Sequence, residues 1–240
     1  MTMKRFLAPA SLVAAIFGCS GSDDGSGDRP GPSHASTCSA ESERSGQATY
    51  YDFADGSGAC SFDPSPNDLM VAAMNAPDYA GSAACGSCAR VSGPNGDITV
   101  RIVDLCPECP AGNLDLSPEA FELIAPLEQG RVPITWRYVA CGVTGPIRYH
   151  FKDGSNQWWA GVQVRNHRHA IAKLEVELNG AFSPVPRQDY NYFVGENGFG
   201  PGPYTFRVTD VYGGVVIDEG IELGDAVTRE GASQLAPCAD

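Results

Sequence analysis

Charged residues are scarce in this chain of 240 residues: they make up 19% of it, with 16 basic side chains against 29 acidic ones. The resulting net charge of −13 repels the phosphates of nucleic acids and of anionic lipids, so neither is expected as a direct partner. The chain also lacks any run of the roughly 20 apolar residues that span a bilayer. Its one long apolar stretch, residues 7–19, is too short for a transmembrane helix.

Glycine and proline are plentiful instead, with 28 and 18 residues. They favour many short strands and turns over long helices, which predicts a mainly β fold. Hydrophobic residues make up 42% of the chain, enough to bury a core in one large domain or in two ordinary ones.

The N-terminus has the layout of a secretory signal. Two cations precede an apolar region at residues 7–17, and a small residue, Gly18, follows it. We therefore expect residues 1–19 to be a signal peptide and the mature protein to be secreted. Residues 16–19 (Ile-Phe-Gly-Cys) also resemble a bacterial lipobox, in which lipid on Cys19 would anchor the protein to the outer membrane. The alternative is an ordinary signal peptide with no lipid on Cys19.

Eight more cysteines follow, an even number that suits disulfide bonds in an oxidising compartment. They are Cys38, Cys60, Cys85, Cys88, Cys106, Cys109, Cys141 and Cys238. Their connectivity cannot be deduced from sequence. Because only Cys238 lies in the C-terminal third, we expect it to pair with Cys141 or Cys38. The pairs 85/88 and 106/109 also have the spacing of a four-cysteine zinc site, but export favours disulfides, and no metal is expected.

After the proposed signal peptide, composition divides the rest of the chain into three parts. Residues 20–45 are rich in Gly, Ser, Asp and Pro, which predicts a flexible linker. Residues 46–141 contain short apolar runs that predict strands, such as 97–103 and 133–139, and a helix that starts at Ser117. Residues 146–240 form the last part. Alternating apolar and polar residues there predict strands at 147–152, 158–166, 171–178, 204–210 and 214–221. This arrangement is typical of a small antiparallel sandwich.

Two carboxylates, Asp104 and Asp115, stand at strand-like segments on either side of a Pro/Gly loop. Like charges brought close together raise the pKa of one member, which lets a carboxyl group donate a proton or hydrogen bond near neutral pH. The alternative is that both side chains only cap turns.

Several motifs resemble those of bacterial expansins. In the first domain they are residues 100–109 (Val-Arg-Ile-Val-Asp-Leu-Cys-Pro-Glu-Cys) and 114–121 (Leu-Asp-Leu-Ser-Pro-Glu-Ala-Phe). In the second they are residues 157–167 (Gln-Trp-Trp-Ala-Gly-Val-Gln-Val-Arg-Asn-His) and 189–193 (Asp-Tyr-Asn-Tyr-Phe). The resemblance implies a six-stranded double-psi β-barrel, related to family-45 endoglucanases, followed by an immunoglobulin-like carbohydrate-binding β-sandwich.

Expansins loosen cellulose or related plant-wall β-glucans without cutting them, and the resemblance implies this function here, with no cofactor. Xyloglucan and peptidoglycan are further candidate polymers, and a monomer is expected. Carried over by position, Thr49, Asp104 and Asp115 are groove residues, and Asp115 is the one essential for loosening. Cys106 stands where some bacterial members have a groove tyrosine.

The alternative function is an inverting endoglucanase, or a peptidoglycan-cleaving barrel protein, with Asp115 as acid and Asp52 as base. The segment Thr49-Tyr-Tyr-Asp52 is similar to a hydrolase motif with one residue missing. A shift of one position turns a strand side chain to the opposite face, so we expect Asp52 to point away from the groove.

The resemblance also implies an aromatic platform in the second domain, formed by Trp158, Trp159 and Tyr190 with Lys152 beside it. Flat rings bury the apolar faces of sugars at little entropic cost. Neighbouring strand residues face opposite ways, so both tryptophans can join one surface only if the strand starts irregularly, for which residues 154–156 are suited.

Four other residues have simpler interpretations. His167 and His169 lack further metal ligands at a suitable spacing and are expected at an exposed strand end. Trp136 is predicted to lie in the barrel core. Arg165 is expected to be a salt-bridging or surface residue.

Overall fold

A computed structural model describes residues 42–52 and 55–237. The proposed signal peptide, most of the proposed linker, and Cys19, Cys38 and Cys238 lie outside the described residues, so what the sequence indicates for them stays a prediction. Within the described part, no helix is long and apolar enough to cross a membrane.

Six strands close into a barrel in the order β1-β5-β2-β4-β3-β6. They are β1 (Arg44–Tyr50), β2 (Val71–Asn75), β3 (Cys88–Gly93), β4 (Gly96–Cys106), β5 (Leu114–Leu116) and β6 (Val132–Val139). β1 pairs with β5 and β2 with β4 in parallel, while the other neighbours are antiparallel. The predicted six-stranded barrel is confirmed.

The alternation of buried apolar and exposed residues explains why the long barrel strands form where the sequence predicts them. In β4, Ile98, Val100 and Ile102 are buried while Thr99 between them is exposed. In β6 the same pattern puts Trp136 in the core, as predicted, where its Nε1 donates a hydrogen bond of 2.7 Å to the carbonyl of Gly112. One face of each strand therefore fills the barrel.

The predicted helix at Ser117 is present as α2 (Pro118–Ile124), after a short α1 (Ala76–Tyr79). The Ser117 hydroxyl accepts a hydrogen bond of 3.1 Å from the amide of Ala120, which caps the N-terminus. The helix ends before Pro126, since a residue that precedes proline disfavours helical geometry. Leu127 reaches the same core from a one-turn 3₁₀ helix (Leu127–Gln129).

Two four-stranded sheets form the second domain, in the orders β10-β9-β12-β13 and β11-β8-β7-β14. The predicted strands appear as β7 (Arg148–Phe151), β8 (Ala160–Arg165), β9 (Ile171–Leu178), β12 (Tyr204–Asp210) and β13 (Val215–Ile221). Three short strands were not predicted: β10 (Ala181–Val185), β11 (Phe193–Gly195) and β14 (Thr228–Glu230). All neighbouring strands within each sheet are antiparallel, so the predicted sandwich is confirmed.

Three disulfides lie among the described residues: Cys60–Cys85, Cys88–Cys141 and Cys106–Cys109. All four cysteines of the alternative zinc site are therefore oxidised, and none is a free thiolate. The suggested Cys141–Cys238 bond is wrong, because Cys141 is bonded to Cys88.

The prediction of an exposed strand end at the two histidines is also wrong. His167 and His169 are both 3% exposed. The His167 Nδ1 lies 2.7 Å from the carbonyl oxygen of His169, and the His169 Nε2 lies 3.1 Å from that of Ala236. The C-terminal segment thus contacts His169, at a position that the local sequence suggests is open.

Candidate functional site

The proposed groove residues lie where β1 and β5 run side by side. Thr49 and Asp115 are register partners in this parallel pair. The Thr49 hydroxyl donates a hydrogen bond of 2.5 Å to Asp115 Oδ1. Two residues that are 66 positions apart in sequence are therefore held in direct contact by strand pairing.

Asp104 lies at the same level of the barrel, on β4, two strands from β5 with β2 between them. Ala73 of β2 pairs with Asp104 on one side and with Asp115 on the other. Asp104 Oδ1 accepts hydrogen bonds from the amides of Ala59, at 2.6 Å, and Leu105, at 2.8 Å. Asp104 thus holds the loop before Cys60 against β4. The three predicted groove residues lie on adjacent parts of one barrel face.

Asp115 has the electrostatics of a carboxyl group that keeps its proton more readily than usual. Its burial raises the pKa above the ordinary value of an aspartate, and the charge of Asp104 adds to the rise. The hydrogen bond from Thr49 and the charge of Arg131 oppose it. The main cause is therefore loss of water, and the like charge that the sequence suggested is a smaller contribution.

Asp52 follows the strand in an exposed turn. The amide of Tyr51 donates a hydrogen bond of 3.1 Å to the carbonyl of Leu116, so β geometry continues through Tyr51. Side chains alternate along this segment, and Asp52 has the opposite parity to Thr49. The direction of the Asp52 side chain relative to Asp115 stays a prediction.

Tyr51 is a further residue on the face of Thr49 that the sequence reasoning did not single out. It has the same parity as Thr49, whereas Tyr50 between them packs on the core residue Phe121 with ring centroids 5.0 Å apart. The signal was available: once Thr49 is assigned to the groove, alternation assigns Tyr51 to it as well.

In the sandwich, the two tryptophans precede β8 in a tight turn. The side-chain oxygen of Asn156 accepts hydrogen bonds from the amides of Trp158, at 2.9 Å, and Trp159, at 3.3 Å. Regular strand geometry begins only at Ala160. Trp158 is 71% exposed and Trp159 is half-buried. The predicted irregular start of the strand is confirmed.

Gly161 marks the place where the aromatic residues and the cation meet. A Cβ at Gly161 would lie 3.2 Å from Lys152, 3.4 Å from Trp159 and 3.5 Å from Tyr192. Tyr192 in turn has its ring centroid 5.9 Å from that of Tyr190 and 5.6 Å from the Lys152 ammonium. These contacts connect Trp159, Lys152 and Tyr190 through Tyr192, a buried residue that sequence reasoning missed.

The segment that carries Tyr190 is hydrogen-bonded to the barrel. Asn191 donates a hydrogen bond of 3.1 Å to the carbonyl of Cys60, which also accepts one of 2.8 Å from Gln163 of β8. The Tyr79 hydroxyl donates one of 3.0 Å to the carbonyl of Asp189. The loop before the groove and the loop of the aromatic face are thus fixed to each other.

Two further contacts strengthen this junction. Burial raises the pKa of Tyr79 to about 12, with smaller contributions from the charges of Asp104 and Asp189. Arg165 of β8 forms an ion pair of 2.6 Å with Asp63 of the barrel, as its predicted salt-bridging role requires.

The site offers carboxyl, hydroxyl and aromatic groups, which suit a neutral polymer rich in hydroxyl groups. Over residues 42–52 and 55–237, no cluster of three or more His, Cys, Asp or Glu side chains could hold a metal ion. The arrangement can donate and accept hydrogen bonds at Asp115 and stack sugar rings at Trp158.

Comparisons with known proteins match both domains. The sequence model of a family described as lytic transglycolase matches residues 43–136. Expansin-YoaJ of Bacillus subtilis (strain 168) is 41% identical over 189 residues, which cover 77% of this chain and 81% of that protein.

The crystal structure of a Clavibacter michiganensis expansin, 35% identical, aligns with a TM-score of 0.77 over 82% of this chain and 99% of that one. A mutant of that expansin in complex with cellohexaose, 34% identical, aligns over the same shares with a TM-score of 0.77.

Proposed function

The chain belongs to the expansin family, and from this premise we propose that it binds cellulose or a related β-glucan and loosens the polymer without cutting it. The cellohexaose bound by the related Clavibacter expansin supports this class of ligand. Xyloglucan and peptidoglycan are the other candidate polymers, and the same assay can compare them with cellulose.

The polar contacts with the glucan come from the groove of Thr49, Asp104 and Asp115. Because its burial raises the pKa of Asp115, the carboxyl group keeps its proton to a higher pH than an ordinary aspartate, and in that form it can donate a hydrogen bond to a sugar hydroxyl. The hydroxyl of Thr49 fixes the direction of that carboxyl group.

The platform of Trp158, Trp159 and Tyr190, with Lys152 at its edge, supplies the apolar part. An exposed indole stacks on the C–H face of a glucosyl unit and removes apolar surface from water. The observation that carries the proposal is the hydrogen-bonded junction at Cys60 and Tyr79, since a polymer can be gripped by both surfaces only if they keep a fixed relation.

The contacts of the carboxylates support binding without hydrolysis. Inverting hydrolysis needs a base about 6.5–9.5 Å from the acid, with room for a water between them. Asp52 lies in an exposed turn after β1, and Asp104 Oδ1 is engaged by two backbone amides. The endoglucanase and peptidoglycan-cleaving alternatives are therefore not favoured.

We also propose that the protein is a secreted monomer, held at the outer membrane by lipid on Cys19. The basis is the signal layout of residues 1–19 and the lipobox-like residues that end it. The proposed domains are residues 46–141 for the barrel and 146–240 for the carbohydrate-binding sandwich.

Asp115→Ala tests the proposed function. We expect the variant to lose wall creep at least tenfold while its adsorption to cellulose stays within about twofold, because the platform is untouched. Creep of plant cell-wall strips and depletion from a cellulose suspension measure the two properties on the same protein.

Glu122→Ala is the matched control, since it removes an exposed carboxylate of α2 outside the groove. It should change neither property. Unchanged creep in Asp115→Ala would contradict the role of the groove, and lost adsorption would assign Asp115 to binding alone.

A further inference from the structure

A cleft of about 240 Å³ lies between the barrel and the sandwich, apart from the proposed groove and platform. Most of its lining side chains are alanines, valines or tyrosines. They include Ala84 and Tyr138 of the barrel and Val211 and Tyr212 of the sandwich. An apolar surface of this kind is stabilised when another segment covers it, because water is removed from it.

The N-terminal end of the described chain is held at the barrel wall of this cleft. The guanidinium group of Arg44 forms an ion pair of 3.0 Å with Asp78 and lies 5.1 Å from the ring centroid of Tyr138. All three residues line the cleft. The Nη1 of Arg44 also donates a hydrogen bond of 3.4 Å to the carbonyl of Ser42, where the described chain begins.

The C-terminal end is held at the sandwich wall of the same cleft. Leu235 is fully buried, and the carbonyl oxygen of Ala236 lies 3.1 Å from Nε2 of His169. The ring of His169 packs edge-on against Tyr212 with centroids 5.1 Å apart, and both residues line the cleft. The two ends of the described chain therefore approach one cavity from its two sides.

The cysteines that remain unassigned lie just beyond these two ends. After Cys19, only Cys38 and Cys238 are outside the three described disulfides. An extended chain spans at most about 3.3–3.6 Å per residue, so Cys38 can lie up to about 14 Å from Ser42, and Cys238 up to about 7 Å from Ala236. A disulfide needs Cα atoms about 4.4–6.8 Å apart. Two ends that start at the walls of one small cavity can meet this requirement.

We propose that Cys38 and Cys238 form a disulfide bond that holds residues 38–41 across the cleft. The bond closes a loop of about 200 residues, and loops of this length gain most from closure. Its two ends belong to different domains, because Cys38 precedes β1 of the barrel and Cys238 follows the last strand of the sandwich. The disulfide is thus a covalent clasp between the domains. Only its role in keeping groove and platform in a fixed relation rests on the proposed function.

The bond forms by oxidation of two thiols. The thiolate of Cys38 attacks the disulfide of an exported thiol–disulfide oxidoreductase, which gives a mixed disulfide and releases one thiolate of that enzyme. The thiolate of Cys238 then attacks Sγ of Cys38, so that the new bond forms and the second enzyme thiolate leaves. Two electrons and two protons pass from the chain to the oxidoreductase, which becomes a dithiol. The same class of oxidant serves the three described disulfides.

Peptide mapping of the exported wild-type protein tests the bond directly. Free thiols are alkylated, the protein is digested without reductant, and linked peptides are identified by mass spectrometry. We expect one linked pair that contains Cys38 and Cys238 and that separates on reduction. Alkylated Cys38 or Cys238 would overturn the proposal. So would a covalent dimer joined through either cysteine, because the occupant of the cleft would then be a second copy of the chain.

Hydroxyl-radical footprinting tests whether the clasp covers the cleft. In Cys38→Ser with Cys238→Ser, we expect the oxidation of Tyr212 to rise at least twofold, while that of Tyr190 in the platform stays unchanged. Cys106→Ser with Cys109→Ser is the matched control, since it also removes one disulfide and should leave Tyr212 as in wild type. Equal oxidation of Tyr212 in wild type and in the first variant would overturn the placement of residues 38–41.

The failure of this proposal is distinguishable from the failure of the proposed function. A wild-type protein with the linked peptides that neither adsorbs to cellulose nor causes creep would refute the proposed function and leave the clasp standing. A wild-type protein that causes creep with Cys38 and Cys238 alkylated would refute the clasp and leave the proposed function standing.

Discussion

The barrel core around Trp136 and Phe121 includes six alanines, whereas the sandwich core contains none and is filled by aromatic and β-branched side chains. In the sandwich, Tyr149 stacks on Phe206 with centroids 5.1 Å apart. All three disulfides among the described residues join positions of the barrel region.

This difference indicates what stabilises each proposed binding surface. A buried alanine removes little apolar area from water, so covalent links supply rigidity that packing does not. The groove therefore depends on oxidation, whereas the platform depends on the packing beneath it.

Removing a long-range disulfide of the barrel should have the largest effect. Cys88→Ser with Cys141→Ser opens a link across 53 residues, and we expect a loss of about 3–4 kcal/mol in the free energy of unfolding, measured with denaturant. Cys106→Ser with Cys109→Ser is the control, because these residues are three apart and their bond constrains little chain. Equal losses in the two double variants would break the comparison.

Acid should weaken the contact between the domains. His167 of the sandwich packs against the barrel, since a Cβ at Gly86 would lie 2.6 Å from its Nε2. Burial lowers the pKa of His167 to about 4, with Arg101 and Arg187 adding to the effect. The neutral ring thus stabilises the fold above the unfolded-state pKa of about 6.5, and this stability is lost as the pH falls toward 4.

At pH 5 the expected loss is about 2 kcal/mol relative to pH 7. His167→Asn retains a donor for the His169 carbonyl but does not titrate. Its unfolding free energy, followed by denaturant titration at both pH values, should lack this contribution. A wild-type pH dependence in the variant would assign the effect to other groups.

The platform should respond to truncation without a change in stability. Trp158→Ala with Trp159→Ala removes the rings, and we expect adsorption to cellulose to weaken about tenfold or more while the melting temperature changes little. Leu123→Ala is the control, because it truncates a side chain of α2 that is 57% exposed. Undiminished adsorption in the double variant would rule out the platform.

The strands that could be predicted are those in which alternation is long enough to be recognised. β9 and β12 begin and end where the sequence predicts. β11 and β14 have three residues each, too few for a period, and β10 contains Pro184 on an edge strand, a residue that argues against a strand.

The groove required more than local pattern. Thr49 and Asp115 meet through the pairing of distant parallel strands, which no spacing reveals, so their assignment came from the family resemblance. The burial of His167 and His169 was missed for a similar reason: Gly86, which His167 contacts, and the segment near Ala236, which His169 contacts, are both distant in sequence. Tyr51 was within reach, because it follows from the parity of Thr49.

The central claim is that a β-glucan is displaced while its glycosidic bonds stay intact. The most direct test measures wall creep and newly formed reducing ends on one sample, with wild-type protein and with Asp52→Ala. We expect creep with no new reducing ends, and equal creep for the variant. New reducing ends that disappear in Asp52→Ala would contradict the account and make the protein a hydrolase.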